Sequence, residues 1–222
     1  MPNPALADVL ASYVPRLIQH RVIANPSPIE TPASDDFQAA VLFADISGFT
    51  LLTERLAEKG PTGVESLARI LNEYFGQLID IIHEYGGDVV KFAGDAVIAV
   101  WNIASDDGQA GLPTRADQWQ WTMRAAECAL KVREKLTNYK AEDQNLYLKL
   151  AVSMGNITSS HVGGVFNRWE FLLTGNPLVE VGIANNIANP SKLRPGQELI
   201  IPGKSAGKQA GPAAKPEAAP AL

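Results

Sequence analysis

The chain has 222 residues, 46% of them hydrophobic, and a formal net charge of −5, enough for one domain with a sizeable core and some extra at each end. No Lys/Arg-rich stripe gives the electrostatic footprint of a nucleic-acid partner, and no apolar stretch reaches the length of a membrane span. The single cysteine, Cys128, leaves no internal disulfide, and Met1-Pro2-Asn3-Pro4 lacks the basic and apolar regions of a signal peptide. A soluble cytoplasmic protein is expected.

Residues from about 5 to 22 carry Leu6, Val9, Leu10, Tyr13, Leu17 and Ile18 at helical spacing. Pro26, Pro28 and Pro32 then impose a loop up to about Asp36. A continuously apolar run, about Gln38 to Ser47, reads as a strand buried on both faces. Leu51, Leu52, Leu56 and Ala57 predict a short helix stopped by Gly60-Pro61. A longer helix follows from about Gly63 to Tyr85, and Gly86-Gly87 ends it. Asp88–Phe92 and Ala96–Trp101 predict a hairpin closed by Ala93-Gly94-Asp95. After a loop from Ser105 to Pro113, a helix is expected from about Asp117 to Tyr139 with Cys128 on its apolar face.

Strands are then predicted at Leu146–Met154, around His161–Val165, and at Trp169–Thr174. Asn176-Pro177 is a helix start, a capping side chain followed by proline at the first helical position. That helix is expected to reach about Ala188, and Glu198–Ile201 to form a last strand. From Gly203 onward, Gly, Ala, Pro, Lys, Ser, Gln and Glu predominate up to Leu222, a composition that cannot bury a core. The expected organisation is a helical segment and loop over 1–36, a domain over 37–202, and a disordered tail over 203–222. The order of elements predicts an α+β domain, a sheet with helices packed on one face.

Asp45 and Asp95 each stand at a strand end near a glycine, Gly48 and Gly94, where backbone can approach a phosphate. Two carboxylates from separate segments are the hard oxygen ligands that a pair of divalent ions and a nucleotide triphosphate require. The Ile46 carbonyl lies beside Asp45 and can add a third oxygen. Ser47, Gly48, Phe49 and Thr50 lead into a helix N-terminus, whose unpaired N–H groups and dipole suit β- and γ-phosphates. Such a site would let a ribose 3′-hydroxyl attack the α-phosphorus. The blander reading of each aspartate is a helix cap or turn former; the two together favour metal chemistry. His20, His83 and His161 are scattered and suggest no zinc site.

The segments Phe43-Ala44-Asp45-Ile46-Ser47-Gly48-Phe49-Thr50 and Lys91-Phe92-Ala93-Gly94-Asp95-Ala96 resemble the two signatures of class III adenylyl/guanylyl cyclases. The resemblance is nearest to the first catalytic half of bicarbonate-responsive soluble adenylyl cyclases and their bacterial relatives. It extends over about residues 5–202, including Gly86-Gly87-Asp88 and Phe171-Leu172-Leu173-Thr174-Gly175. Gly86-Gly87-Asp88 also resembles a diguanylate cyclase signature, but Val89-Val90 stands where that family has Glu-Phe.

The resemblance implies a ferredoxin-like βαββαβ domain with an antiparallel-rich sheet, converting ATP to cyclic AMP and pyrophosphate. It implies two Mg²⁺ or Mn²⁺ ions held by Asp45, Asp95 and the Ile46 carbonyl, with Ser47 to Thr50 as the phosphate-contacting turn. Lys91 would belong to a base-reading or activator pocket. The family's sites form between two domains, and a complete domain carries an Asn and, four residues later, an Arg in the helix after Gly175. Those positions hold Val179 and Ile183, and a further basic residue expected in that helix is Gly182. The resemblance therefore implies a first-half domain that needs a complementary cyclase domain, or else a non-catalytic nucleotide-binding module that regulates one.

Overall fold

The computed structural model describes residues 9, 11, 13–102 and 113–184. The expected strand at Glu198–Ile201, the tail from Gly203, the last residues of the helix expected to reach Ala188, and most of the loop from Ser105 lie outside the described residues.

The elements run α1 (Arg16–Ala24), β1 (Ala33–Ser47), α2 (Phe49–Glu58), α3 (Pro61–Glu84), β2 (Asp88–Ala93), β3 (Ala96–Asn102), α4 (Arg115–Leu136), β4 (Tyr139–Ala141), β5 (Gln144–Gly163), β6 (Trp169–Gly175) and α5 (Asn176–Ala184). A single turn of 3₁₀ helix, Val165–Asn167, joins β5 to β6. The sheet order is β2-β3-β1-β5-β4, with β6 also on β5, and every pairing is antiparallel. Strands β1, β2, β3 and β5, with α3 and α4 as the crossovers, make the ferredoxin-like α+β unit.

β1 is apolar without alternation because both of its faces are covered. Ala40, Leu42, Ala44 and Ile46 pack on one side against Leu52 and Leu56 of α2, Tyr74 and Leu78 of α3, and Cys128 and Val132 of α4. On the other side Ala39 and Val41 meet Val100, Ile157 and Leu178, and Phe43 meets Ala96 and Val181. The three longer helices thus share one face, and the short α5 lies on the other. Burial pushes the Cys128 thiol up to about 12, so it is a core residue rather than a nucleophile.

Several boundaries differ from expectation for identifiable reasons. β1 starts at Ala33 rather than Gln38, because polar cross-strand pairs extend the ladder where no apolar signal exists. Ser34 hydrogen-bonds Ser160 (2.9 Å) and Thr158 donates to Asp36 (2.6 Å). The two strands expected between Leu146 and Val165 are one, Gln144–Gly163. Gly155 in its middle marks contact rather than a turn, since a Cβ there would meet the Pro177 ring of α5 at 3.1 Å. α4 starts two residues earlier than expected, at Arg115. There the Thr114 hydroxyl accepts from the Asp117 N–H and the Asp117 carboxylate accepts from the Thr114 N–H. It ends before Tyr139, which opens the short strand β4 after Asn138 turns at φ +61°. In α1, Pro15 sets the start, and the Asp88 carboxylate accepts the Arg16 and Leu17 N–H groups at 3.0 Å each. That pair of bonds ties α1 to the first residue of β2.

Candidate metal and nucleotide site

β1 and β3 pair until Asp45 stands opposite Ala96, so the Asp45 Cα lies about 5 Å from the residue that follows Asp95. The β2–β3 connection consists of Gly94 and Asp95 alone, because Ala93 pairs with Ala96. Gly94 has φ +68°, and a glycine at the first of two loop positions fits the hairpin turn whose twist matches the strands. This turn delivers Asp95 to the end of β1. Alanines stand at 93 and 96, the nearest positions in the same cross-strand row.

The two groups are electrostatically uneasy without a cation. Burial foremost, then the Asp95 charge, raise the Asp45 carboxyl to about 6 against the partial relief of Lys149. Asp95 is also raised by burial, with its own backbone N–H and Lys149 opposing. The Asp95 charge adds to burial in disfavouring the ionised form of Asp45, the more enclosed partner. Two crowded, half-desolvated carboxylates form a donor set suited to a hard divalent ion. Among the described residues no third His, Cys, Asp or Glu joins them. The neighbouring backbone can contribute instead: β1 outruns β3, and Ile46 and Ser47 pair only with Leu148 and Tyr147 on the β5 side.

α2 begins directly after this corner. Gly48 is its N-cap, in the left-handed region at φ +95°, and no side chain caps the helix. The N–H groups of the first turn are therefore not satisfied by a cap and face a potential anion. A Cβ on residue 48 would sit 3.2 Å from the Asn145 carbonyl oxygen.

Lys149 was not singled out from the sequence, where it is one polar residue in an alternating strand. Register makes it conspicuous: it stands directly opposite Asp45 on β5, and directly opposed residues share a face. Asp45, Asp95, Lys149 and the α2 N-terminus are thus gathered at one corner. Lys91 lies elsewhere. It opposes Ile98, which opposes Phe43, so it shares the Asp45 face but stands two strands and one row away, exposed. Val179 on α5 is 44% exposed and Gly182 is buried; neither offers a side-chain donor. His161, one of the three scattered histidines, is buried on β5 against Phe171, far along the strand from this corner.

A family profile described as "Adenylate and Guanylate cyclase catalytic domain" matches residues 32–189. Adenylate cyclase type 10 of Oryctolagus cuniculus is 31% identical over 182 residues, which is 81% of this chain and 10% of that protein. The Homo sapiens protein of the same name is 30% identical over the same shares. The chain thus spans about a tenth of the length of these relatives. Among solved structures, a bacterial light-regulated adenylyl cyclase aligns with TM-score 0.59 and 23% identity, over 83% of this chain and 47% of that one. The guanylyl cyclase Cya2 aligns with TM-score 0.51 and 22% identity, over 69% of this chain and 71% of that one. At those identities the structures speak for the fold.

Proposed function

The chain belongs to the adenylate and guanylate cyclase catalytic domain family, and from that premise we propose that it is the metal-carrying half of an adenylyl cyclase site. The observation that carries this reading is the Asp45–Asp95 pair at the uncapped N-terminus of α2, with Lys149 opposite. Asp45, Asp95 and the Ile46 carbonyl would hold two Mg²⁺ or Mn²⁺ ions. Those ions, when bound, supply Lewis acidity at the attacking hydroxyl and neutralise charge on the leaving group.

The chain's own residues set the geometry. Backbone N–H groups at Phe49 and Thr50 grip the β- and γ-phosphates, with Ser47 and Gly48 shaping the turn. Gly48 lets the phosphates approach the backbone, and Lys149 balances negative charge beside the carboxylates. The ribose 3′-oxygen then bonds to the α-phosphorus and loses its proton. The bond to the β-phosphate oxygen breaks, giving 3′,5′-cyclic AMP and pyrophosphate. Adenine rather than guanine as the base rests on the relatives named adenylate cyclase. No helix among the described residues is long and apolar enough to cross a membrane, and a cytoplasmic signalling role fits a substrate drawn from the ATP pool.

α5 supplies no polar side chain at Val179, so the groups that orient the ribose and stabilise the transferring phosphate must come from a complementary domain. Loss of such a cation costs orders of magnitude in rate. The test is cyclic AMP formation from Mn²⁺-ATP by the purified chain alone and mixed with a complementary cyclase domain. Activity only in the mixture is expected; high turnover by the lone chain would remove the need for a partner. The same apolar Val179 favours one second reading, a nucleotide- and metal-binding regulatory domain that heterodimerises with a complete cyclase domain. ATP binding that depends on Asp45, with no turnover alongside any complementary domain, would select that reading.

A further inference from the structure

Beyond Asp45 the sheet carries one more polar row. Register places Lys149 opposite Asp45 and Tyr147 opposite Ser47, so the four residues stand in two adjacent rows on one face of β1 and β5. The other face of the same stretch is core, where Ile46, Leu148 and Leu150 pack beneath the helices. The Ser47–Tyr147 row is the outermost, because β3 pairs with β1 only as far as Asp45. Tyr147 is 49% exposed, and its hydroxyl makes no hydrogen bond among the described residues.

A lone exposed aromatic at a strand end needs no explanation of its own, but the surroundings of Tyr147 give it one. The N-cap of α2 lodges against β5 just before it: a Cβ on Gly48 would meet the Asn145 carbonyl oxygen at 3.2 Å and Leu146 Cδ2 at 3.8 Å. Tyr147 is therefore the next residue of β5 after the pair that supports the uncapped helix end. Lys149 and Tyr147 are separated along the strand by about 7 Å, close to the span from the first to the last phosphorus of a triphosphate. A phosphate chain that begins beside the carboxylates and ends at the α2 N-terminus passes from the Asp45–Lys149 row to the Ser47–Tyr147 row.

We propose that the Tyr147 hydroxyl donates a hydrogen bond to the terminal phosphate of the nucleotide, and so makes the site read the length of the phosphate chain. Lys149 and the N–H groups of α2 attract any polyphosphate, since charge and backbone donors act on whatever anion is present. A neutral donor one row further out reaches only a third phosphate. The terminal phosphate leaves unchanged within pyrophosphate, so this contact is equal before and during the reaction at the α-phosphorus. Its loss weakens binding and spares the chemical step. This role of Tyr147 rests on the metal corner proposed above.

Tyr147→Phe removes the hydroxyl and keeps the ring. Calorimetry on the intact chain compares Mn²⁺-ATP, Mn²⁺-pyrophosphate and Mn²⁺-ADP, with Asp45→Ala alongside. Tyr147→Phe is expected to bind ATP and pyrophosphate about tenfold more weakly, as loss of a hydrogen bond to a charged group requires, with ADP changed by less than about twofold. With the complementary domain present, KM for Mn²⁺-ATP should rise by about the same tenfold while kcat stays within about twofold. Equal weakening of ATP and ADP, or no weakening of either, overturns the role of Tyr147. Weaker association with the complementary domain at an unchanged ATP-to-ADP ratio overturns it in favour of an interface contact. The two readings fail separately. ATP binding that needs Asp45 but ignores the Tyr147 hydroxyl removes only this role, whereas ATP binding that survives Asp45→Ala removes the metal corner and this role with it.

Discussion

The corner after β1 and the helix α5 both border the Asp45 face of the sheet, yet they are built in opposite ways. The corner carries local costs in stability: two carboxylates repel each other, a glycine is held at φ +95°, and a helix end is left uncapped. α5 carries no such strain. Its side chains Leu178 and Val181 pack on β1 and β5 partners, and Val179 is an exposed apolar residue. On the proposed reading, a strained corner beside an inert helix is half of a composite site. Breaking the corner and leaving the helix alone separates the two contributions.

The largest effect is expected from the carboxylates. Asp45→Ala or Asp95→Ala, assayed with the complementary domain and Mn²⁺-ATP, should lower kcat/KM by about a thousandfold or more. Mn²⁺-dependent ATP binding to the chain alone should fall in parallel. A variant with unaltered metal-dependent binding would leave the corner without its proposed role. Lys149 should matter less, because it offers one cation to a site that the metals also neutralise. Lys149→Ala is expected to raise KM for Mn²⁺-ATP by about ten- to a hundredfold with a smaller change in kcat, and Lys149→Arg to recover most of it. An equal fall in kcat with KM unchanged would place Lys149 outside phosphate binding.

The contrast between these residues shows what a sequence can reveal of a site. Asp45 and Asp95 stand out because each interrupts an apolar run, Asp45 three residues before Gly48 and Asp95 directly after Gly94, and turn chemistry alone carries Asp95 to a hairpin tip. The α+β order was legible for a similar reason, because long helices and apolar strands alternate with clear stops such as Gly60-Pro61, whereas the ferredoxin-like arrangement was implied by the resemblance to class III cyclases. Lys149 was not legible, because its partner is set by the register of β1 against β5, and register depends on packing over the whole ladder. The polar start of β1 and the unity of β5 were hidden in the same way. Hydroxyl–carboxylate pairs and a glycine beneath Pro177 take their meaning from the opposite strand or helix.

A smaller effect is expected at the phosphate turn. Gly48→Ala places a Cβ in the left-handed region and 3.2 Å from the Asn145 carbonyl. The backbone conformation alone costs about 1–2 kcal/mol, which urea unfolding should read as a lower midpoint with an unchanged slope. If the turn also approaches phosphate, KM for Mn²⁺-ATP should rise beyond what the stability loss explains. A destabilised variant with wild-type KM would make Gly48 a purely architectural residue.

The smallest effect runs in the opposite direction and is the most diagnostic of the comparison. Asp45 titrates at about 6 in the metal-free fold, against an ordinary 3.8. Between those values the folded chain holds a proton that the unfolded chain has released, so stability falls as pH rises across about 4 to 6 and stays reduced above it. The full shift corresponds to about 3 kcal/mol, and solvent access to this partly open group reduces the net effect to about 1 kcal/mol. Asp45→Asn should therefore stabilise the metal-free protein at pH 7.5 by about that amount and flatten its profile between pH 4 and 6. Adding Mn²⁺ should reverse the ranking, because an ion that binds only the folded wild type stabilises it by mass action. Urea midpoints at pH 4.5, 6 and 7.5, with and without Mn²⁺, measure all of this. A variant that is less stable than wild type in metal-free buffer at pH 7.5 would show that Asp45 already has an adequate partner in the apo fold, and the contrast between a strained corner and a relaxed α5 would fail at its central residue.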